Sequence, residues 1–384
     1  APYIIINTLN KNFSNYLILS LSPFLLQYTN EVVISIFIIS VAITHTFLDF
    51  LPSIYLGAPE PATALSILPG HKMLLEGRAY EAIFLTVLGS LFALITAILL
   101  VPILIPTVKI AYPFIKKNMA FILIIASVYL ILIEKKSRLW AFIIFLMAGV
   151  FGFGVLNLHI LNEPLLPMLS GLFGISMLVL SFLDKVKIPA QENKIDDISN
   201  FTILKSLSGC TIAGILCSFL PGLGPAQGAV LGLQLFKNIG DKGFLILVSG
   251  INTLNMVLSI AALYIIDKAR SGAIVAISKI MESFNLNYLI LFLGSSLIVA
   301  GIATFLALYL AKVFGKLINK LNYSVLCLAV IIFIIVLVFI FSKFIGLLVL
   351  VIATFIGLIP NIKGIKRSHL MGCLLLPVIF FYLF

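Results

Sequence analysis

Long stretches without a charged side chain constrain this chain more than any motif does. Phe121–Ile133, Ala141–Leu156, Leu289–Ala311 and Val325–Phe341 contain no Asp, Glu, Lys or Arg. With their flanks they approach the roughly 20 residues that a membrane-spanning helix needs. The rest of the chain agrees: 62% of residues are hydrophobic and 10% charged, against about 45–50% and about 25% in soluble domains. The sequence predicts an all-α polytopic membrane protein with about nine to eleven membrane segments, some of them short.

A net charge of +11 would suggest nucleic acid in a soluble protein. Here the cations sit in short connectors: Lys116–Lys117, Lys135–Lys136–Arg138, Lys312–Lys316–Lys320 and Lys363–Lys366–Arg367. That is the pattern that orients a multi-pass protein with its basic side in the cytoplasm, and no basic run alternates with aromatics. Nucleic acid is not an expected partner. Cys210, Cys217, Cys327 and Cys373 lie in apolar segments without CxxC or Cys/His spacing, so they read as small buried hydrophobes. The opening "APYIIINTLNKNF" lacks the layout of a signal peptide, and the simplest expectation is a start inside a longer product.

One polar segment, Asp184 to Lys205, interrupts the apolar sequence. It divides the chain into a first membrane repeat at 1–183, an extramembrane linker at 184–205 and a second membrane repeat at 206–384. Aligning Ser40 with Ser249, an offset of 209, brings Thr44 onto Thr253, Tyr55 onto Tyr264 and Ala64 onto Ala273. Leu88–Ser90 matches Leu293–Ser295 at an offset of 205. Weak internal symmetry of this kind is how secondary transporters are built, with interrupted helices meeting near the bilayer midplane.

Two interruptions fit that plan. "FLPGLGPAQG" brings Pro221, Gly222, Gly224 and Pro225, followed by Gln227, into an apolar stretch. Its arms of about 10–14 residues are too short to cross alone. Non-helical backbone survives at membrane depth only inside protein or a water-filled cavity, so the segment reads as a re-entrant hairpin whose tip favours an anion. A proline-kinked spanning helix is the plainer alternative. In the first half, Gly57, Pro59, Glu60, Pro61, Thr63 and Pro69 break "YLGAPEPATALSILPGHKM", with Gly57 and Gly70 bracketing a short helical piece. An ordinary surface loop would also account for it.

Polar groups inside apolar runs each ask for a reason, because a charge at the bilayer centre costs roughly 2.5–3.5 kcal/mol. His45 and Asp49, four apart on one helix face, could carry a proton or fix a cation; alternatively, Asp49 solvates a helix end. In the second half, Asn252, Thr253 and Asn255 suit sodium or a substrate carboxylate, or simply bond helix to helix. His159 sits in a connector and reads as structural, and His369 reads as interfacial.

"FLPGLGPAQG", "GAPEPATALSILPGHKMLLEGRAYEA" and "GIKRSHLMGCLLLPVIFFYL" together resemble the large membrane subunit of the tripartite tricarboxylate transporters, and more closely its shorter archaeal relatives. The resemblance covers most of the chain. It implies two repeats, each with a Pro-Gly hairpin, of which the second falls on Pro221, Gly222, Gly224 and Pro225 and the first should precede "APYIIINTL". It also implies carboxylate import driven by protons or sodium, with an accessory binding protein and a small membrane subunit.

The leading expectation is therefore an ion-coupled secondary transporter of a small organic anion in the cell membrane. Substrate would sit between hairpin tips, near Thr44, His45, Asp49, Gly57, Pro59, Glu60, Thr63, Pro221, Gly222, Gly224, Pro225, Gln227, Asn252, Thr253 and Asn255. No cofactor beyond a coupling Na+ or H+ is expected; expected partners are lipids, an accessory binding protein and a second copy in a homodimer. The alternative is a flippase for an isoprenoid-phosphate lipid, with Lys72 and Arg78 cradling the phosphate. No GxSxG, HExxH or paired GxGD aspartates complete a catalytic set, so an enzyme is not expected.

Overall fold

The computed structural model describes residues 30–55, 67–132, 134, 137–158, 160–161, 163–183, 189–219, 224–236, 238–281, 283–318 and 323–383. Among these, every regular element is helical. In chain order they are α1 (Glu31–Leu48), α2 (Phe50–Tyr55), α3 (Ile67–Leu75), α4 (Ala79–Lys117), α5 (Met119–Leu132), α6 (Arg138–Leu156) and α7 (Leu165–Leu169). A π-helical stretch (Ser170–Ile175) leads into α8 (Ser176–Leu183), followed by α9 (Asn200–Phe219), α10 (Pro225–Leu235), α11 (Gly240–Ile266) and α12 (Gly272–Ile280). The chain closes with α13 (Leu286–Ile318), α14 (Tyr323–Lys363), a 3₁₀ turn (Arg367–Met371) and α15 (Gly372–Leu383).

Seven of the described helical stretches are long and apolar enough to cross a membrane, and three shorter apolar ones accompany them. α14 is two helices end to end, 323–342 and 344–363, because Lys343 turns through a positive φ of 51°. Sequence signals mark several starts: Asn30 Oδ1 accepts from the Val32 amide at 3.1 Å, and Ser137 and Ser271 cap α6 and α12 in the same way.

α11 is the axis of the molecule. It is mostly apolar, and 94% of its most hydrophobic window is buried, as a helix without a broad polar face requires. α4 runs beside it in the same direction. Glu81 meets Lys242 at 2.6 Å where both helices begin, Gly89 abuts Ile246 and Ser249, and Tyr112 reaches residues just past the end of α11. α9 is also parallel to α11, placing Ser206 against Gly243, Cys210 against Gly250 and Leu254 against Gly214. Small residues at these crossings let the backbones approach closely. α1 runs the other way. Its far end, Tyr55 in α2, donates to the Ala311 carbonyl at 2.7 Å, and Lys312 lies 5.5 Å from the Tyr80 ring centre. α13 thus ends where α4 begins, parallel to α1, and turns Ser296, Ala300, Ala303, Ala307, Ala311 and Gly315 inward.

A second packing centre joins α6, α15, α14 and the π stretch. Gly152 lies against the Cys373 backbone, Gly372 against that of Phe145, and Gly357 against that of Leu172. The widened π turn offers the Leu172 carbonyl to the buried Arg367, whose guanidinium also reaches the Gly357 carbonyl at 3.2 Å and the Ser176 hydroxyl. Beside it His369, expected at the interface, is buried: its Nε2 meets Glu134 Oε2 at 3.1 Å.

The linker is a strap. Gln191 Oε1 accepts from the Ala79 amide at 3.1 Å, capping α4, while its Nε2 donates to the Leu74 carbonyl at 3.0 Å, at the end of α3. The Glu192 amide donates to the Gly77 carbonyl at 2.9 Å. The polar segment nevertheless ends earlier than its composition suggests, because 200–205 already belongs to α9. The four cysteines are buried.

Candidate functional site

α1 and α11 are apolar helices that cross in opposite directions, and their few polar groups meet at the crossing. Asn252 Nδ2 donates to Asp49 Oδ2 at 2.7 Å, and the Thr253 hydroxyl donates to that of Thr46 at 3.3 Å. Thr46 in turn donates to the Ile43 carbonyl at 2.8 Å, and Ser53 donates to the Asp49 carbonyl at 3.0 Å. All four side chains at the crossing are buried, Asp49 retaining 4% of its surface and Thr253 none. Asp49 occupies the C-cap of α1, its amide still bonded to the His45 carbonyl at 2.9 Å.

This cluster joins a carboxylate, an amide and two hydroxyls in apolar surroundings, a set able to bind a proton or to donate oxygens to a small cation. Asn252 also does what polar groups commonly do in bundles, bonding one helix to another. His45, expected to share the Asp49 face, is exposed. Thr44 and Asn255 are half-buried beside the cluster. Thr46 was not among the expected residues, although its spacing of three from Asp49 puts both on one helical face.

Next to this crossing lies a helical hairpin. α9 and α10 pack antiparallel: Cys217 lies against Gly228, Ala213 against Gly232 and Gly209 against Phe236. Cys217 Sγ also sits 3.3 Å from the Gly224 carbonyl, and Pro225 opens α10, where its missing N–H costs nothing. The short-arm expectation holds for α10, with 11 residues, and fails for α9, whose 20 residues suffice to span a bilayer. Gln227 lies in the first turn of α10. Pro221 and Gly222, like Gly57, Pro59, Glu60, Thr63 and His159, lie outside the described residues. Gly70 does not bracket a helical piece as expected; it lies inside α3.

The cations at the two ends of α11 differ in their surroundings. At the strap end, Lys72 meets Asp241 at 2.7 Å, and Arg78 meets Glu81 at 2.8 Å and Asp196 at 3.2 Å. The hydrogen bond that Lys72 donates to Asp241, and then the Asp241 charge, hold the Lys72 ammonium above its ordinary value. Both cations assigned to a lipid phosphate are thus engaged within the protein. At the other end, Lys268 and Arg270 gather around Tyr112 and Phe219, a grouping the sequence reading missed. Its only sequence signal is "DKAR" directly after a long apolar run.

The fold and these clusters can be set beside known proteins. Residues 9–372 match the Tripartite tricarboxylate transporter TctA family. An uncharacterized protein of Methanocaldococcus jannaschii, MJ1079, is 32% identical over 356 residues, covering 90% of this chain and 88% of that protein. No solved structure matches. The chain is a multi-pass membrane protein, a component of a transport system rather than an enzyme, and it belongs to the tripartite tricarboxylate transporter TctA family.

Proposed function

We propose that this chain is an ion-coupled secondary transporter of a small carboxylate, working by alternating access with substrate held between Pro-Gly hairpin tips. The observation that carries the reading is the buried Asp49–Asn252 contact between α1 and α11. The offset of 209 makes these two helices counterparts in the repeat, and they run antiparallel. The same holds for α4 and α13 at the offset of 205. Opposed counterparts support an inverted repeat, the architecture in which a site at the repeat interface can open alternately to either side. Asp49 would take the coupling proton, or with Thr46, Asn252 and Thr253 supply oxygens to Na+. Thr44, His45, Asn255, Gly224, Pro225 and Gln227 would line the path.

The strap end carries Lys72, Arg78, Lys194, Lys205, Lys242, Lys312 and Lys316, against Lys109, Lys117, Lys268, Arg270 and Lys279 towards the other end, and we assign the strap end to the cytoplasmic face. An accessory binding protein would then deliver substrate at the opposite face, as the family's tripartite organisation suggests, and a homodimer is the proposed assembly.

The test is thermal stabilisation of the purified full-length protein by di- and tricarboxylates, in sodium against potassium, and by polyprenyl phosphate. A ligand at a hundred times its Kd adds about 2.7 kcal/mol to the stability of the folded state. We expect a carboxylate to raise Tm. A shift with polyprenyl phosphate alone would replace this reading with a lipid translocase.

A further inference from the structure

The chain leaves α11 at Asp267 through a left-handed residue, φ 50°, and passes Lys268 and Arg270 before Ser271 caps α12. Arg270 is half-buried. Its Nη2 donates to the carbonyl of Phe219, the last residue of α9, and to the Tyr112 hydroxyl oxygen at 3.3 Å. Its Nε is buried and meets no acceptor. Lys268, exposed, reaches the same phenol oxygen at 3.4 Å. Both cations lie against the Tyr112 ring, 5.5 Å from its centre for Lys268 and 5.8 Å for Arg270. Among the described residues neither joins a salt bridge.

Among the described residues no carboxylate pairs with this arrangement. A partly desolvated guanidinium is normally paired, because burying an uncompensated charge is costly. Here a second cation instead shares the neutral Tyr112 acceptor, and like charges so close repel. The strap end of the same helices shows the contrast, since Arg78 and Lys242 there both meet carboxylates. The Arg270 edge formed by the unpartnered Nε and by Nη2, which Phe219 and Tyr112 now hold, has the fork geometry that a carboxylate matches, with the exposed Lys268 beside it as a second charge.

We propose that Arg270, Lys268 and Tyr112 form a capture site for an anion bearing more than one carboxylate, beside the end of α9 on the face opposite the strap. The inference rests on the transporter reading and assigns that reading its first anion contact. Because Arg270 also holds the Phe219 carbonyl, a bound carboxylate would compete for the group that ties the hairpin to the α11–α12 segment.

The experiment uses the full chain in detergent with citrate, succinate and acetate as probes, comparing wild type, Arg270→Gln and Lys268→Gln. Binding is read by calorimetry and by citrate protection of Lys268 from an amine-reactive acylating reagent, with the exposed Lys279 as internal control. We expect Arg270→Gln to weaken citrate binding about tenfold or more, as loss of a charge-assisted hydrogen bond implies. Lys268→Gln should weaken it several-fold, acetate should bind far more weakly than citrate, and citrate should shield Lys268 but not Lys279. Undiminished citrate affinity in both variants, with Lys268 unprotected, overturns the capture site and leaves the transporter reading standing. A wild type that binds no carboxylate overturns both. If Arg270→Gln does not fold, Lys268→Gln and the wild-type protection pattern decide.

Discussion

A carboxylate held 2.7 Å from an amide, between two apolar helices, makes Asp49 and Asn252 the residues where a small change should be felt most. Asn252→Ala removes a buried donor and should cost about 1–3 kcal/mol, read as a lowered Tm in detergent. Exchanging the pair, Asp49→Asn with Asn252→Asp, keeps one carboxylate and one amide in contact and should recover most of that loss. An Asn252→Ala protein as stable as wild type would sink the idea that this contact joins the halves. Each of the two residues was legible separately, because a polar group inside an apolar run stands out. Their meeting was not, since 203 residues separate them and nothing local encodes the pairing. Thr44 stood out because the repeat alignment sets it on Thr253, whereas the packing of α1 against α11 brings Thr46 to Thr253.

At the scale of elements, α4 on α11 is a close backbone approach. A Cβ built on Gly89 would run into the Ile246 carbonyl and the Ser249 hydroxyl, whereas one on Gly154 of α6 would meet nothing within 4 Å. Gly89→Ala should therefore lower Tm by several degrees or prevent folding, and Gly154→Ala should leave it unchanged. Equal effects from the two would mean that α4 and α11 are not in contact. Helix existence was readable from hydropathy; helix limits were less so. Asn200 to Lys205 looked like connector because three of its six residues are polar, yet an exposed first turn tolerates them. Pro69 and Gly70 looked like a break, yet Pro69 is the third residue of α3, where the missing N–H had no intrahelical partner to lose.

For the whole molecule, the strap end and the Lys268–Arg270 end should lie on opposite sides of the membrane. Single cysteines replacing Lys194 and Lys279, both exposed, test this in sealed vesicles with an impermeant thiol reagent. The native cysteines are buried and should give little background. We expect Lys194→Cys to react only from the cytoplasmic side and Lys279→Cys only from the other. Labelling of both from one side would overturn the assignment of the two ends of α11 to opposite faces. The enclosure of α11, finally, governs how the protein is made. Its neighbours α1 and α4 emerge from the ribosome long before it does, and Asp49 enters the bilayer without the Asn252 amide. At the 5–20 residues per second typical of synthesis, the wait is about 10–40 s. During that interval the faces of α1 and α4 that pack on α11 have yet to meet it.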